Sequence, residues 1–265
     1  MNITGQTFLI TGATGGIGEA IARLAAARGA KLVLSGRQAQ VLDALGKELD
    51  ARTIVCDLAD RTDLERLVKE AGDIDVLIAN AALPADGPLL GFEPGDVDRA
   101  LEVNLRAPVM LARLLAPAMN ERGRGHLVFV SSLAGKVATS GSSLYSATKF
   151  GLRGFASGLR QDLHASGVGV STVFPGFIRD AGMFAQSGVK LPRGVGTRSP
   201  QEVAAAVIRA IEEDRGEIDV APINMRLASA LAGLAPELIA RGARLAGSDA
   251  VAKKIAGSEA HKSRR

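Results

Sequence analysis

The sequence predicts an α/β fold in which one open, doubly wound parallel sheet carries helices on both faces. Seven short runs of β-branched and aliphatic residues alternate with longer segments of helical periodicity. Most of the short runs are continuously apolar, which is typical of strands that are covered on both faces. Strands and helices that alternate in this way form parallel strands joined by right-handed helical crossovers.

The predicted strands are distributed along most of the chain. They cover residues 7–11, 31–35, 52–56, 76–79, 126–131, 168–174 and 217–221. Apolar stripes with the spacing of an amphipathic helix lie between several of them. The stripes are formed by Ile17, Ala20, Ile21, Leu24 and Ala25, by Leu64, Leu67, Val68 and Ala71, and by Val203, Ala206, Val207, Ala210 and Ile211.

No linker rich in proline or glycine divides the chain, so we expect one domain over residues 1–265, with its core at about 5–221. Residues 180–200 hold four glycines and two prolines without a clear period. A loop of this length is usually either a lid or disordered, and we expect this one to contribute to a substrate pocket. Residues 222–265 are expected to form a C-terminal basic amphipathic extension.

The charge of the chain is unevenly distributed. The net charge is +4, yet residues 241–265 hold seven basic and two acidic residues, so the rest of the chain is nearly neutral. A neutral body with 3% aromatic residues and no tryptophan argues against nucleic-acid binding. We therefore expect a small-molecule substrate.

Cysteine and histidine are scarce, with one cysteine and three histidines in the chain. A disulfide within the chain is excluded, and we expect no metal site. The first residues lack the pattern of a secretory signal peptide, and no run of 18 apolar residues occurs. We expect a cytoplasmic protein.

A glycine-rich string, TGATGGIG at residues 11–18, connects the first predicted strand to the first predicted helix. Gly12 permits a sharp turn, Gly16 lets a pyrophosphate approach the backbone, and Gly18 lets the helix pack close to the sheet. The start of the helix then offers unpaired N–H groups to the anion. This context predicts a dinucleotide site.

The spacing G-x-x-x-G-x-G resembles that of the short-chain dehydrogenase/reductase family, in its compact single-domain branch. Further motifs match in chain order over residues 5–221: Asp57-Leu58, the AlaAsnAlaAla turn at 79–82, Asn104, Ser132, Tyr145 with Lys149, and Pro175-Gly176. The resemblance implies a Rossmann-like, seven-stranded sheet with strand order 3-2-1-4-5-6-7. It also implies a nicotinamide cofactor and oxidoreductase activity.

Tyr145 and Lys149 are four residues apart and would share one face of a helix. A cation beside a phenol favours the phenolate and lowers the tyrosine pKa, so Tyr145 could exchange a proton with a substrate oxygen. Ser142 or Ser143 could cap this helix. The resemblance implies that Tyr145 is the acid/base, that Lys149 lowers its pKa and binds the nicotinamide ribose, and that Ser132 polarises the carbonyl.

Asn104 is followed four residues later by Pro108, which has no N–H to donate to the Asn104 carbonyl. A kinked helix at this point could hold an ordered water. The resemblance implies that Asn104 is the fourth catalytic residue and holds a water that reaches the lysine. A mid-helix asparagine that faces solvent is the alternative.

The end of the second strand predicts the choice of cofactor. Enzymes that use NAD place an acid at this point, whereas here Gly36 is followed by Arg37, whose guanidinium can pair with a 2′-phosphate. The sequence therefore predicts NADP(H). By resemblance the cofactor-binding residues are Gly12, Thr14, Gly15, Gly16, Ile17, Gly18, Arg37, Asp57, Leu58, Asn80, Ala81, Tyr145, Lys149, Pro175, Gly176 and Ile178. Asp57 either accepts from the adenine amino group or is a turn residue ahead of the cap at Asp60.

Two positions depart from the family pattern. Ala82 replaces a glycine of the turn after the fourth strand, and Asp180 stands where a threonine usually contacts the carboxamide. A carboxylate accepts hydrogen bonds but cannot donate them. Gly15 also lacks the basic side chain that some members carry before the second motif glycine.

Two surfaces leave alternatives open. Gly151, Gly154 and Gly158 in the Tyr145 helix suit either packing within the chain or contact with a second copy in a homodimer or homotetramer. The apolar positions Ile223, Leu227, Leu231, Leu234, Leu238 and Leu245 suit a docked helix, a cap over an apolar substrate pocket, a subunit contact or a membrane surface. Of these, the docked helix is favoured over membrane contact.

The sequence thus predicts an NADP(H)-dependent oxidoreductase that acts on a carbonyl/alcohol pair. Met183, Phe184 and Leu191 in the loop favour an apolar substrate. A non-catalytic NADP-binding sensor or scaffold is the first alternative, which Asp180 favours. A sugar-nucleotide epimerase or dehydratase is less suited, because few residues remain after the seventh strand for its larger substrate domain.

Overall fold

The computed structural model describes residues 1–180 and 195–232, together with residues 182, 185 and 237. Seven parallel strands form one sheet in the order β3-β2-β1-β4-β5-β6-β7, which confirms the predicted topology. The strands are β1 Thr7–Thr11, β2 Lys31–Gly36, β3 Arg52–Val55, β4 Val76–Ala79, β5 Gly125–Val130, β6 Val168–Pro175 and β7 Glu217–Val220. The predicted strands match these within one residue at either end.

The helices divide between the two faces of the sheet. They are α1 Gly16–Ala27, α2 Ala39–Leu49, α3 Arg61–Ala71, α4 Pro94–Leu101, α5 Ala107–Glu121, α6 Ser143–Asp162, α7 Pro200–Glu212 and α8 Ile223–Ala232. One hydrophobic cluster packs α1, α2 and α7 against the sheet, and a second packs α3, α5 and α6 against the opposite face.

Side-chain alternation within a single strand explains why the predicted strands are continuously apolar. In β1, Phe8 and Ile10 belong to the first cluster and Leu9 belongs to the second, and all three side chains are fully buried. Both faces of the strand therefore require apolar residues.

The helix around Asn104 is interrupted as Pro108 predicts, but the interruption takes a particular form. A π-helical turn, Glu102–Arg106, joins α4 to α5, and Ala107 N donates to Glu102 O across it. Pro108 then lies in the first turn of α5, where a missing N–H costs little.

The expected capping of α6 by a serine side chain is wrong. Ser142 occupies the N-cap position, but its side chain makes no cap hydrogen bond. Its hydroxyl instead donates to Thr139 O at 2.8 Å and accepts from Thr139 N at 3.1 Å. The serine therefore closes the turn that precedes the helix.

Part of the expected loop and most of the C-terminal extension, including Met183, Phe184, Leu191, Leu234, Leu238 and Leu245, lie outside the described residues. Within α8, Ile223, Leu227 and Leu231 are exposed. None of the helices in the described ranges is both long enough and apolar enough to cross a membrane.

Candidate active site

The parallel sheet brings the predicted site residues to one edge, because the carboxyl ends of all seven strands lie there. Four of these residues directly follow their strands: Gly12 follows β1, Arg37 follows β2, Asn80 follows β4 and Gly176 follows β6, and Ser132 is the second residue after β5. This edge of an open α/β sheet is where ligands bind in such folds.

The turn after β1 depends on two glycines. Gly12 has a φ of +65°, a conformation that other residues rarely adopt. A Cβ atom at Gly18 would lie 2.2 Å from the Gly12 carbonyl oxygen, so only glycine lets α1 begin this close to the turn. With Gly15 as N-cap and Gly16 as first helical residue, the start of α1 has no side chain over it. The arrangement fits a dinucleotide pyrophosphate.

Asn80 connects the end of β4 to this turn. Its side-chain Nδ2 donates to the Thr11 and Gly12 carbonyl oxygens at 3.1 and 3.2 Å. The Asn80 and Ala81 N–H groups contact the Thr11 hydroxyl at 3.2 and 3.3 Å. The amide of Asn80 therefore holds the glycine turn in place.

Arg37 and Asp57 lie on the far side of the glycine turn. Arg37 is exposed and lines a small cavity together with Arg99 and Asp96. Asp57 Oδ2 accepts from Arg99 at 2.8 Å, and Asp57 Oδ1 accepts from Ala59 N at 3.1 Å. Asp57 thus acts as a turn residue ahead of the Asp60 cap, and its carboxylate also pairs with an arginine that the sequence motifs did not indicate.

Leu58, Thr14 and Ile17 complete the expected cofactor residues near the glycine turn. Leu58 is 8% exposed and packs in the cluster between α3, α5 and the sheet, so little of its side chain is open to an adenine ring. Thr14 lies against Gly36, and its Oγ1 would be 3.2 Å from a Cβ atom there. Ile17 is half-buried beside the first cluster.

Tyr145 and Lys149 lie one turn apart in α6, and both side chains are buried. Lys149 Nζ is 5.6 Å from the centroid of the Tyr145 ring and donates to Val130 O at the end of β5, at 3.1 Å. The helical spacing therefore places the ammonium and the phenol side by side at the carboxyl edge of the sheet.

Burial controls the protonation of this pair. It raises the pKa of Tyr145, the charge of Asp86 raises it further, and a hydrogen bond with Ser132 opposes the change. Burial also lowers the pKa of Lys149 to about 8. Burial has the largest effect on the Tyr145 pKa, so the phenol is held in its protonated form, and the expectation that Lys149 lowers this pKa stays a prediction.

The two serines after β5 have different partners. The Ser131 hydroxyl is buried and donates to Lys149 O at 3.2 Å, which fastens β5 to α6. The Ser132 hydroxyl accepts from Ala134 N at 3.1 Å, donates to Pro175 O at 3.5 Å and lies close enough to the Tyr145 phenol to oppose the rise of its pKa. Ser132, the serine expected from the resemblance, is therefore the one next to the phenol.

Asn104 is buried within the π-helical turn and does not face solvent. Its side-chain Oδ1 accepts from Leu83 N at 2.7 Å and its Nδ2 donates to Leu83 O at 2.9 Å. The amide is therefore engaged with the loop after β4. Asn104 fixes the position of that loop beside the site.

The segment after β6 begins at the carboxyl end of that strand. Pro175 and Ile178 are buried, and Gly176 N donates to Val220 O at 3.0 Å. Asp180 adopts a left-handed backbone conformation with a φ of +67°, and its side chain is 72% exposed. Its carboxylate lies 3.4 Å from Arg179 Nε, which is its nearest described ion-pair partner.

Several residues near the site carry no sequence motif. Asp86 acts on Tyr145 through its charge, and Arg99 pairs with Asp57. Lys136 and Glu217 form an ion pair behind the site. Arg153, which pairs with Glu217, lies one turn beyond Lys149 in α6, and this spacing could have indicated it from the sequence. The other contacts join segments that are distant in the chain, so no sequence spacing indicates them.

Comparisons with known proteins give a consistent result. A family model described as short chain dehydrogenase matches residues 6–191. The chain is 37% identical to ketoacyl reductase HetN of Nostoc sp. over 82% of this chain and 79% of the relative. It is also 37% identical to the 3-oxoacyl-[acyl-carrier-protein] reductase FabG of Rickettsia conorii, over 68% of this chain and 75% of the relative.

A solved structure adds a likeness in three dimensions. It is a short-chain dehydrogenase from Sphingobium yanoikuyae in complex with NADPH, and it is 29% identical to this chain. The TM-score is 0.77, and the match covers 88% of this chain and 95% of that one.

Proposed function

The chain belongs to the short-chain dehydrogenase/reductase family, whose members are oxidoreductases that use nicotinamide cofactors, and on that premise we propose that it is an NADP(H)-dependent carbonyl reductase. The substrate would be a ketone or aldehyde, or the matching alcohol in the reverse direction. The observation that carries this proposal is the buried Tyr145–Lys149 pair, with Ser132 beside the phenol at the carboxyl edge of the sheet.

The protonated phenol suits the reductive direction. A carbonyl that gains hydride on carbon needs a proton on oxygen, and Tyr145 holds one because burial raises its pKa. Ser132, beside the phenol, can donate to the same oxygen as its negative charge develops. When bound, the nicotinamide supplies the hydride.

Lys149 has two roles in this proposal. With a pKa of about 8 it carries a positive charge at neutral pH, and that charge stabilises the phenolate left when Tyr145 gives up its proton. Its ammonium would also bind the nicotinamide ribose. Asn104 supports the pair indirectly, because it fixes the Leu83 backbone that borders the site.

Arg37 supports NADP(H) as the cofactor. Its exposed guanidinium follows β2, where an acid would be needed to bind the ribose hydroxyls of NAD. The guanidinium of Arg99 lines the same cavity, where it is paired with Asp57, and Asp96 also lines it. Arg37 is therefore the cation that would pair with a 2′-phosphate, which the acid of an NAD enzyme would repel.

The direct test is a substrate panel with NADPH and NADH. Because relatives are named ketoacyl reductases, the panel includes a 3-ketoacyl thioester beside simple ketones and aldehydes. We expect NADPH-dependent reduction of at least one carbonyl, and a loss of about 10²-fold or more in kcat for Tyr145→Phe. Full activity of Tyr145→Phe would refute the assigned mechanism.

A non-catalytic NADP-binding sensor is the second candidate, favoured by Asp180 in place of the usual threonine. NADPH binding by calorimetry without turnover on any carbonyl, in either direction, would support it. Replacement of Asp180 by threonine separates the two further. For an enzyme the change should alter KM or kcat, whereas a sensor would stay inactive.

We also propose that the protein is a homodimer or homotetramer through α6. Gly151 packs against Leu105 within the chain, but a Cβ atom at Gly154 or Gly158 would meet nothing within 4 Å. Phe150 is 41% exposed nearby. Light scattering on the native protein and on Phe150→Glu tests this, and a monomeric native protein would refute it.

A further inference from the structure

The edge strand β7 carries two acids that hold a lysine behind the site. Lys136 Nζ lies 2.6 Å from Asp219 Oδ1 and 3.0 Å from Glu217 Oε2, and the lysine side chain is only 10% exposed. Lys136 directly follows the short 3₁₀ turn Leu133–Gly135, for which Ser132 is the N-cap. These ion pairs therefore fasten the Ser132 segment to the edge of the sheet.

The same glutamate also holds the helix of Tyr145 and Lys149. Arg153 lies one turn beyond Lys149 and two turns beyond Tyr145 in α6. Its Nε and Nη2 donate to the two carboxylate oxygens of Glu217 at 2.7 and 3.1 Å, a bidentate pairing with a fixed geometry. One carboxylate therefore joins the two segments that carry the phenol and the serine hydroxyl.

A third segment enters the same cluster through Phe174. Lys136 Nζ lies 4.1 Å from the centroid of this fully buried ring, and Arg153 Cζ lies 5.6 Å from it. Phe174 directly precedes Pro175 and Gly176, the residues expected beside the nicotinamide. Two cations that contact one ring restrain this segment relative to the other two.

Glu217 stays charged at neutral pH. Burial raises its pKa, but hydrogen bonds and charges from Arg153 and Lys136 outweigh that effect, so the pKa is below its ordinary value. The backbone around Lys149 is also closely packed, because a Cβ atom at Gly135 would lie 2.7 Å from Lys149 O. A small shift of the turn Leu133–Gly135 or of α6 would therefore change the position of Tyr145.

We propose that Glu217 is a positioning residue that sets the separation of Ser132 and Tyr145. It touches no reacting atom and acts by bridging Lys136 and Arg153. Precise placement of catalytic groups contributes to kcat more than to substrate affinity, and small misplacements lower the rate. The effect on kcat rests on the proposed reductase function, whereas the effect on Tyr145 does not.

The test compares Glu217→Gln with Glu212→Gln as a matched control. Glu212, the last residue of α7, forms an ion pair with Arg28 at 2.7 Å and is 36% exposed, against 35% for Glu217. Because the chain has one tyrosine and no tryptophan, its intrinsic fluorescence reports on Tyr145 alone. Acrylamide quenching of this emission measures how well the phenol is enclosed, without cofactor or substrate.

We expect Glu217→Gln to raise the quenching constant about twofold and to lower kcat about fivefold with little change in KM, since geometry is lost and binding is kept. Glu212→Gln should match the native protein in both measurements. Arg153→Gln, which removes the other half of the bridge, should reproduce the quenching change, and circular dichroism establishes that each variant is folded.

The proposal is overturned if Glu217→Gln and Arg153→Gln are both folded and have the quenching constant of the native protein. It is also overturned if Glu217→Gln raises KM and leaves kcat unchanged. It is also overturned if Glu212→Gln gives the same change as Glu217→Gln. If the native protein turns over no carbonyl, the reductase function fails, and the quenching result still decides whether Glu217 positions Tyr145.

Discussion

Lys149 Nζ lies 5.6 Å from the ring centroid of Tyr145, and burial moves the pKa values of the two groups in opposite directions. The phenol gains proton affinity and the ammonium loses it, so the two pKa values, which are nearly equal in water, move apart in the folded chain. In the proposed reduction the phenol gives its proton to the substrate oxygen, and a charged Lys149 would stabilise the phenolate that is left. The proposed reaction should therefore slow when Lys149 loses its charge above about pH 8.

The pH dependence of catalysis follows from the Lys149 pKa of about 8. Below that pH the ammonium is charged and supports the phenolate formed in the reaction, and above it that support is lost. We therefore expect kcat to fall as the pH rises through about 8 in a profile measured from pH 6 to 10. Lys149→Arg stays charged throughout this range, so its profile, at a lower rate, should lack the fall. A native profile that is flat to pH 10 would contradict the assignment.

The same buried ammonium should reduce stability. The Lys149 pKa rises from about 8 in the folded chain to 10.5 when exposed, so the native state becomes more stable as the pH rises from about 8 towards 10.5. Lys149→Met removes the buried charge and keeps the length of the side chain. We expect its Tm to exceed that of the native protein at pH 7 and the difference to shrink at pH 10.

The control is Lys47→Met, because Lys47 is an exposed lysine in the last turn of α2. This variant should change Tm little at either pH. A Tm for Lys149→Met at or below the native value at pH 7 would mean that the charge is compensated.

Strands and site positions were predictable from the sequence because both depend on local order. A continuously apolar strand such as β1 is needed wherever helices cover both faces, and motif residues that end parallel strands must share one edge. Asn104 illustrates the same point, since Pro108 four residues on indicates a break in the helix. The sequence alone could not show that the break is a π-helical turn.

The protonation of Tyr145 and the bridge at Glu217 were not predictable from the sequence. A phenol's pKa depends on how much water reaches it, and the i, i+4 spacing to Lys149 says nothing about burial. Lys136 and Asp219 are 83 residues apart along the chain. Only the packing of β7 beside β6 brings them together, and no spacing rule connects them.

Cofactor preference should depend on Arg37. We expect Arg37→Glu to weaken NADPH binding about 10- to 100-fold, because the new carboxylate repels a 2′-phosphate, and to leave NADH affinity unchanged or improved. Calorimetric titration with each cofactor measures both affinities.

The control is Arg124→Glu, which makes the same charge change at another exposed arginine. Arg124 lies directly before β5, at the amino ends of the strands, so this variant should keep the preference for NADPH over NADH. Equal weakening of NADPH and NADH by Arg37→Glu would show that Arg37 supports the fold of the site and not the 2′-phosphate.

Acid should destabilise the protein through His126, far from the site. Burial lowers its pKa to about 4, the charge of Asp214 opposes this, and Nε2 lies 2.7 Å from Ser171 Oγ. The unfolded chain binds this proton near pH 6.5, so stability present above pH 6.5 is lost as the pH falls towards 4, by on the order of 3 kcal/mol in all. Urea unfolding at pH 7 and 5 should show a smaller pH effect for His126→Gln than for the native protein. His164→Gln, at an exposed histidine, should keep the native pH effect. If His126→Gln loses as much unfolding free energy between pH 7 and pH 5 as the native protein does, other groups cause the acid sensitivity.

The glycine turn gives a test of backbone contact that needs no catalytic assay. A Cβ atom at Gly18 would lie 2.2 Å from the Gly12 carbonyl oxygen and 2.8 Å from Asn80 Nδ2, and backbone cannot move aside cheaply. We expect Gly18→Ala to cost about 2 kcal/mol of unfolding free energy and to weaken NADPH binding about tenfold, since the start of α1 must shift from the turn. Gly95→Ala, in the first turn of α4, is the matched control, because a Cβ atom there meets nothing within 4 Å and alanine is favoured over glycine in a helix by up to about 1 kcal/mol. Urea unfolding and calorimetry on both variants should therefore give changes of opposite sign in stability, with cofactor affinity altered only by Gly18→Ala. If Gly18→Ala binds NADPH as the native protein does, the contact between α1 and the glycine turn does not shape the cofactor site.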